Sequence, residues 1–390
     1  MPTPSKIYDD AEAVVRALTP SYPVYCLRPD VLEAQARRFL SLFPGEVLYA
    51  MKCNPHPLVI QALYRAGIRH FDTASLPEIA QIAESYKDAT SYFMHPVKGR
   101  AVIKAAYEVY GVRHFVVDHE SELEKVHAVT GGDKDLIIVV RIETPPAPNT
   151  LYHLPSKFGA KPDHAVEILK RAAKLGYDLG ISFHVGSQCL TPEAYETALR
   201  IVGEVRDAAG VELSCLDVGG GFPARYIAME EAKTLPRLED FMAAIRGGLN
   251  ALKLKPTVDV LCEPGRALVA NGCSLLVQVQ LRKDDQLYIN DGIYGSLSEM
   301  VMGQLKLPAR LIRLDGEQAN EQSTFTLNGP TCDSLDVLPS SFDLPADVRE
   351  GDWIEIDQVG AYSNALATRF NGFYPETYVV VRDTPLAAAA

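Results

Sequence analysis

The chain has little to offer a nucleic acid or a membrane. Its 50 acidic residues outnumber its 38 basic ones, for a formal net charge of −12. No basic run offsets that balance, which argues against a polyanionic partner. No apolar run reaches the length needed to span a bilayer, and MPTPSKIYDD lacks the apolar core of a signal peptide. The seven cysteines occur singly, without a CxxC pair or disulfide-like spacing. Reduced thiols and a cytoplasmic location are therefore expected. Internal repeats and low-complexity linkers are also missing, apart from an LAAAA tail expected to fray.

What is present is core. With 47% hydrophobic and 23% charged residues over 390 positions, the chain suits one large barrel plus a second domain, or two ordinary domains. Eight β-rich runs recur along the first two thirds: VLYAMK (47–52), RHFDTA (69–74), SYFMH (91–95), RHFVVD (113–118), LIIVVRI (136–142), ISFHVG (181–186), SCLDVG (214–219) and VDVLCE (258–263). Amphipathic segments such as HPLVIQALYRAG (56–67) and PEAYETALRIVGEVRDAAG (192–210) separate them, with apolar residues at three- and four-residue steps. Eight alternating units can close into a parallel (β/α)₈ barrel; an open doubly wound sheet is the alternative. After residue 266 strands follow without substantial helices, which predicts an antiparallel β domain. The expected division is an N-terminal segment, 1–27, joining that second sheet through PVYCL, a barrel over 28–266 and a β domain over 267–390.

Chemistry in such a barrel gathers where its strands end. Lys52, Asp72, Arg141, His184 and Glu263 stand at those ends, and polar groups in otherwise apolar strands are costly unless used. A buried ion pair with Asp72 is the plain alternative for Lys52, and a hydrogen-bonded core histidine the plain one for His184. Gly219, Gly220 and Gly221 follow strand seven, where backbone N–H groups can converge on an anion or simply make a tight turn. Gly265 and Arg266 follow strand eight, and barrels often bind phosphate with these two loops. A lysine amine, a phosphate cradle and an opposed acid suggest pyridoxal 5′-phosphate. Burial would help keep the Lys52 amine deprotonated, Glu263 would partner the ring nitrogen and His184 would stack on the ring. No metal is expected.

YAMKCN, FDTASLPE, SKFG, FHVGSQ, DVGGGFP, EPGR, NDGIYGS, GPTCDSLD and GAYSNALATRFNGF run in order through nearly the whole chain. In these motifs the sequence resembles the fold-type III pyridoxal-phosphate decarboxylases, which include ornithine and diaminopimelate decarboxylases. The resemblance implies an alanine-racemase-like barrel followed by a β domain, in a homodimer whose active sites are shared between subunits. It implies Lys52 as the Schiff-base lysine, with His184 stacked on the ring and Glu263 at the ring nitrogen. Ser187, Gly219–Gly221, Arg266 and Tyr362 are then phosphate contacts, with Asp72 and Arg141 as supporting groups. Cys332 and Asp333 would come from the second subunit, the thiol to protonate Cα after carbon dioxide leaves and the carboxylate to hold the substrate's distal amine. Tyr294, in NDGIYGS, falls among the expected substrate-binding residues. An inert loop thiol and an ordinary β-domain aromatic are the plain alternatives for Cys332 and Tyr362.

The expected substrate is a basic L-amino acid, ornithine (giving putrescine) or lysine (giving cadaverine), as in polyamine biosynthesis. Diaminopimelate fits less well because NDGIYGSLSEMVMG has no arginine for a second carboxylate, and an unpaired buried carboxylate costs several kcal/mol. One departure stands out. Met302 and Gly303 occupy the positions where ornithine decarboxylases carry a Tyr-Asp pair, leaving Asp333, helped by Glu299 or a water, to grip the amine. An amino-acid racemase would lack the Cys-Asp loop, and a non-catalytic paralogue like the antizyme inhibitors would lose cofactor residues. Residues 143–166, long and proline-rich for a barrel loop, are expected to form a mobile lid or a static surface loop.

Overall fold

A computed structural model describes residues 6–147, 150–152, 157–226 and 235–386. Its first part is a closed barrel of eight parallel strands. They are β1 (Glu46–Ala50), β2 (His70–Thr73), β3 (Thr90–Phe93), β4 (His114–Val117), β5 (Ile137–Arg141), β6 (Asp178–Ser182), β7 (Cys215–Asp217) and β8 (Asp259–Cys262). Closure comes from β8 against β1, with Leu261 opposite Glu46 and Cys262 opposite Val47. All eight runs read from the sequence form strands, and the open sheet is excluded. The strands are shorter than the apolar runs, so Lys52 lies in a 3₁₀ turn (Met51–Cys53) after β1, and His184 two residues beyond β6. The intervening segments are helices, and two of them end on a left-handed glycine: Pro57–Ala66 stops at Gly67 and Glu193–Ala209 at Gly210.

Alternation along the strands sorts the side chains into two sets. Tyr49, Phe71, Phe93, Phe115, Val140 and Leu216 belong to the large core shared with the surrounding helices. Leu48, Tyr92, Met94, Val116, Val139, Cys215 and Leu261 form a separate cluster that fills the barrel. Two residues further along, the same inward positions become polar. Register sets Ala50 beside Asp72, Arg141 beside Ser182, and Ser182 beside Asp217. The apolar layer is the floor on which a polar layer stands.

The second part is a nine-stranded sheet that is mixed rather than purely antiparallel. Cys273–Lys283 pairs antiparallel with Val24–Leu27, Gln286–Ile289 and Trp353–Ile356. Thr377–Val381, however, runs parallel to both Ile7–Tyr8 and Val24–Leu27, and Gln286–Ile289 runs parallel to Gln322–Asn328. No hairpin links the partners of these parallel pairs, so their direction is free of turn geometry. Among the described residues no helix is long and apolar enough to cross a membrane.

Arg28 joins the N-terminal segment to this sheet. Its side chain is 1% exposed and donates to Glu355 at 2.9 Å, Ser274 at 2.9 Å and Asp383 at 2.9 Å. Removing one member of a buried ion network strands the others. Arg28→Ala is therefore expected to cost about 3–5 kcal/mol, measured as a lowered urea midpoint; a loss below 1 kcal/mol would contradict this reading of the network.

Candidate active site

Lys52 stands at the barrel mouth, its Nζ 3.0 Å from Asp72 Oδ2. The side chain is 46% accessible, an exposure to the open mouth above the polar layer rather than to an outer surface. Burial would lower its pKa, but Asp72, Glu263 and Tyr362 raise it and prevail, so the amine is held as an ammonium. This overturns the expectation that burial keeps it neutral: the carboxylates outweigh desolvation. The plain alternative, an ion pair with Asp72, is present. It accounts for Lys52 but not for what surrounds it.

The turn carrying Lys52 is clamped from three sides. Ala50 donates to Pro264 O at 3.1 Å, Tyr49 Oη to Asn54 O at 2.9 Å, and Tyr362 N to Cys53 O at 2.9 Å. A Cβ on Gly265 would come within 2.8 Å of Cys53 Cβ, so the EPGR loop can pack this closely only with glycine there. Glu78 finishes the enclosure. It follows Ser75 at the spacing of a capping box and accepts from Ala74 N at 2.7 Å.

Glu263 faces Asp217, which sequence reading missed although it occupies an inward position of β7. Asp217 Oδ1 accepts from Gly219 N at 2.8 Å, while its Oδ2 is buried without a donor. Burial raises both acids, Asp217 to about 6 and Glu263 well above its ordinary range, where Asp217 and Asp72 push it further. A proton held by the pair on Glu263 satisfies Asp217 Oδ2 and removes one of two adjoining charges. His184 lies beside them, accepting from Gly186 N at 3.0 Å through Nδ1. Burial, then Arg141 and Lys52, keep it neutral.

The three glycines are required by backbone packing. A Cβ would lie 1.9 Å from Phe183 O at Gly219, 2.6 Å from Glu263 O at Gly220 and 2.5 Å from Gly186 O at Gly221. Gly219 and Gly221 also have φ of +68° and +102°. Among the described residues, the N–H groups of Gly220 and Gly221 meet no acceptor. Next to them Arg266, 3% exposed, donates to Tyr226 Oη at 2.7 Å, Ser187 Oγ at 3.2 Å and Glu299 Oε2 at 2.6 Å. Its guanidinium carbon sits 4.9 Å from the Tyr362 ring centre. Arg266 Nε is buried and unpartnered. Free donors converging beside a buried cation suit a phosphate group. Glu299 is thereby committed to Arg266, which overturns the expectation from the sequence that it helps hold a substrate amine; Tyr226 was not foreseen.

Arg141 ends β5 with its guanidinium 5.7 Å from the Phe158 ring. Ser187 begins a short strand (Ser187–Cys189) paired antiparallel with Thr150–Tyr152. The expected lid lies partly outside the described residues. Its described ends are stitched down, Ala160 donating to Arg141 O and Gly159 to Asp118 Oδ2.

Cys332, Asp333 and Tyr294 form a separate cluster. Asp333 accepts from Tyr294 Oη and from Leu335 N at 2.9 Å, and these two donors lower its pKa, Tyr294 more strongly. Cys332, exposed, donates its N–H to Asn371 at 3.1 Å. Tyr294 packs on Phe370, ring centres 4.8 Å apart. All these partners belong to the second domain, and among the described residues none of the cluster's hydrogen bonds reaches Lys52. Elsewhere, His119, Glu120 and His164 place ligand atoms within 4.8 Å of one another. Here His119 Nδ1 accepts from Ser121 N, and His164 bonds Glu120 at 2.5 Å, a helix-capping arrangement.

Comparison with known proteins agrees with this geometry. Residues 30–270 match the family described as pyridoxal-dependent decarboxylase, pyridoxal binding domain. The lysine/ornithine decarboxylase of Selenomonas ruminantium is 37% identical over 88% of this chain and 85% of that protein. Antizyme inhibitor 2 of Xenopus laevis is 33% identical over 86% of this chain and 76% of its own length. The arginine decarboxylase of Paramecium bursaria Chlorella virus, solved with agmatine bound, superposes with a TM-score of 0.82 at 28% identity, covering 94% of this chain and 98% of that one. An amine at a barrel-strand end beside a buried arginine and free backbone donors, and a family match over more than half its length, lead to one conclusion: the chain belongs to the pyridoxal-dependent decarboxylases, carboxy-lyases that act on basic amino acids with pyridoxal phosphate.

Proposed function

We propose that this enzyme decarboxylates L-ornithine, with L-lysine as the next best substrate, in a homodimer whose two active sites are each built from both subunits. The observation that carries the substrate reading is Asp333, held anionic by Tyr294 and Leu335. A fixed carboxylate suits the distal ammonium of a diamino acid. Met302 and Gly303, on and at the end of the helix Ser298–Gly303, add no second acid. The same helix carries no arginine for a second carboxylate, which disfavours diaminopimelate.

The residues present fit the cofactor. Lys52 would supply the amine for its aldehyde, and Arg266, Ser187, Tyr362 and Gly219–Gly221, beside Gly265, would hold its phosphate. Glu263, protonated and backed by Asp217, would partner its ring nitrogen, and neutral His184 would offer a flat face without opposing charge. When bound, pyridoxal phosphate supplies an electron sink for the bond broken at Cα. Asp72, at 3.0 Å, takes up and returns the proton that the Lys52 amine exchanges. Arg141 and the carboxylates of the polar layer hold the mouth's charge in balance. Cys332 of the second subunit delivers the proton to Cα, and Asp333 beside it fixes the distal end of the substrate.

The shared site is supported by the surface around Cys332, where Leu335 is 71% exposed, Phe370 41% and Phe373 41%. An apolar rim around polar groups marks a surface made to be covered. A non-catalytic role like that of an antizyme inhibitor is disfavoured because Lys52, Glu263, Arg266 and Cys332 are all in place.

Borohydride treatment of the loaded enzyme, with its absorbance near about 420 nm, is expected to leave the cofactor attached to the Lys52 peptide; attachment elsewhere would refute the assignment. Cys332→Ala should lower kcat by about 10²–10⁴. Mixing it with Lys52→Ala should restore activity to about a quarter of the wild-type level, because half the dimers hold one intact site; no recovery on mixing argues against shared sites. Across ornithine, lysine, arginine and diaminopimelate, carbon dioxide release should be fastest with ornithine and slowest with diaminopimelate. Asp333→Asn should cut kcat/KM for ornithine by at least about thirtyfold, and preference for arginine would overturn the substrate reading.

A further inference from the structure

Arg266 meets the phosphate end of the site with its donors almost spent. A guanidinium has five N–H bonds. Those on Nη1 are taken by Tyr226 and Glu299, and those on Nη2 by Ser187 and Glu299. Only Nε–H remains, buried and unpartnered. Glu299 grips both terminal nitrogens, the two-pronged geometry a phosphate would itself choose. Both side chains are buried, and among the described residues the Glu299 carboxylate accepts from nothing else.

We propose that Glu299 is a resident counterion that the cofactor phosphate has to displace from Arg266. Loading the cofactor thus releases the Ser298–Gly303 helix from its charged anchor on the barrel. This rests on the reading of Arg266 as a phosphate contact. The physical reason is charge. A phosphate reaching Nε–H while Glu299 stays in place would put a second anion beside a carboxylate in a poorly solvated pocket. One guanidinium cannot compensate both.

Glu299 lies 33 residues from Arg266 in sequence, on an element that comes from the second domain. The helix carries Met302 outward, 52% exposed, and has no side-chain N-cap. Leu297 and Met300 bury their side chains at its start, so freeing Glu299 lets the outer turn move while the apolar root stays. Cofactor occupancy is in this way coupled to the position of the segment next to the substrate end.

The test is binding of pyridoxal 5′-phosphate and of pyridoxal, which lacks the phosphate, to the cofactor-free full-length protein and to Glu299→Gln. Removing the competing charge should tighten pyridoxal 5′-phosphate about tenfold or more, 1.4 kcal/mol per decade, and leave pyridoxal unchanged. Equal or weaker binding of pyridoxal 5′-phosphate by the variant, or a parallel shift for both ligands, overturns the proposal, since Glu299 would then merely orient Arg266. If wild type binds both ligands equally, the phosphate reading itself fails. A second measurement needs no variant: amide hydrogen exchange over residues 298–303 should quicken when inorganic phosphate or the cofactor is added to the wild-type protein. Unchanged or slowed exchange there, with binding established, also sinks the displacement.

Discussion

One ammonium set among buried carboxylates governs this site. Lys52 meets Asp72 at 3.0 Å and lies within the field of Glu263, while burial and the adjoining Asp217 hold Glu263 well above the ordinary carboxylate range. Each acid alone would be expensive to bury. Together with Lys52, Arg141 and a proton on Glu263 they become affordable, and the balance explains why the polar layer survives inside a barrel. It also sets the chemistry: the ring nitrogen of a cofactor would meet an acid that already holds a proton, and its aldehyde an amine whose proton has a near acceptor.

The layer sits where it does because the barrel closes. With short parallel strands in register, inward side chains two residues apart stack as successive floors. The lower floor, Leu48, Tyr92, Val116, Val139, Cys215 and Leu261, is a buried hydrophobic cluster, and the polar floor above it opens on the loops. The second sheet then caps the mouth from the side. Asn54 donates to Gly360 O at 2.8 Å, and Asn364 to Asn54 at 3.0 Å. The GAYSNA turn is thereby held against the Lys52 turn and places Tyr362 beside Arg266. A second set of chemical groups, Cys332, Asp333 and Tyr294, keeps its contacts within the same sheet domain. The exposed apolar residues around it, Leu335, Phe370 and Phe373, are what the shared-site proposal rests on.

The residues that stood out in the sequence did so for a local reason. A charge ending an apolar run is visible without any fold, and Lys52, Asp72, Arg141 and Glu263 announced themselves that way. Asp217, two residues along from the inward Cys215, gives a weaker signal, because it lies inside the run SCLDVG rather than at its end. Tyr226 had none, since no periodicity marks the segment after DVGGGFP. The direction of strands in the second sheet was equally silent: Thr377–Val381 looks the same whether its neighbour runs parallel or antiparallel.

Eight units of alternating strand and helix, the chemistry at their ends and the motifs spaced through the chain were set by local pattern, because period and burial are properties of neighbours in sequence. Which charge meets which was decided only by tertiary closure. Glu299 was read as a helper for a distal amine and instead grips Arg266, because docking the second domain on the barrel mouth brings together two residues with no local relation. Closure of the barrel likewise turned Lys52 from an amine expected to be neutral into a protonated one, because it sets Asp72 and Glu263 around it. Burial strength can be read from an apolar run, whereas the sign and distance of facing charges exist only in the folded molecule.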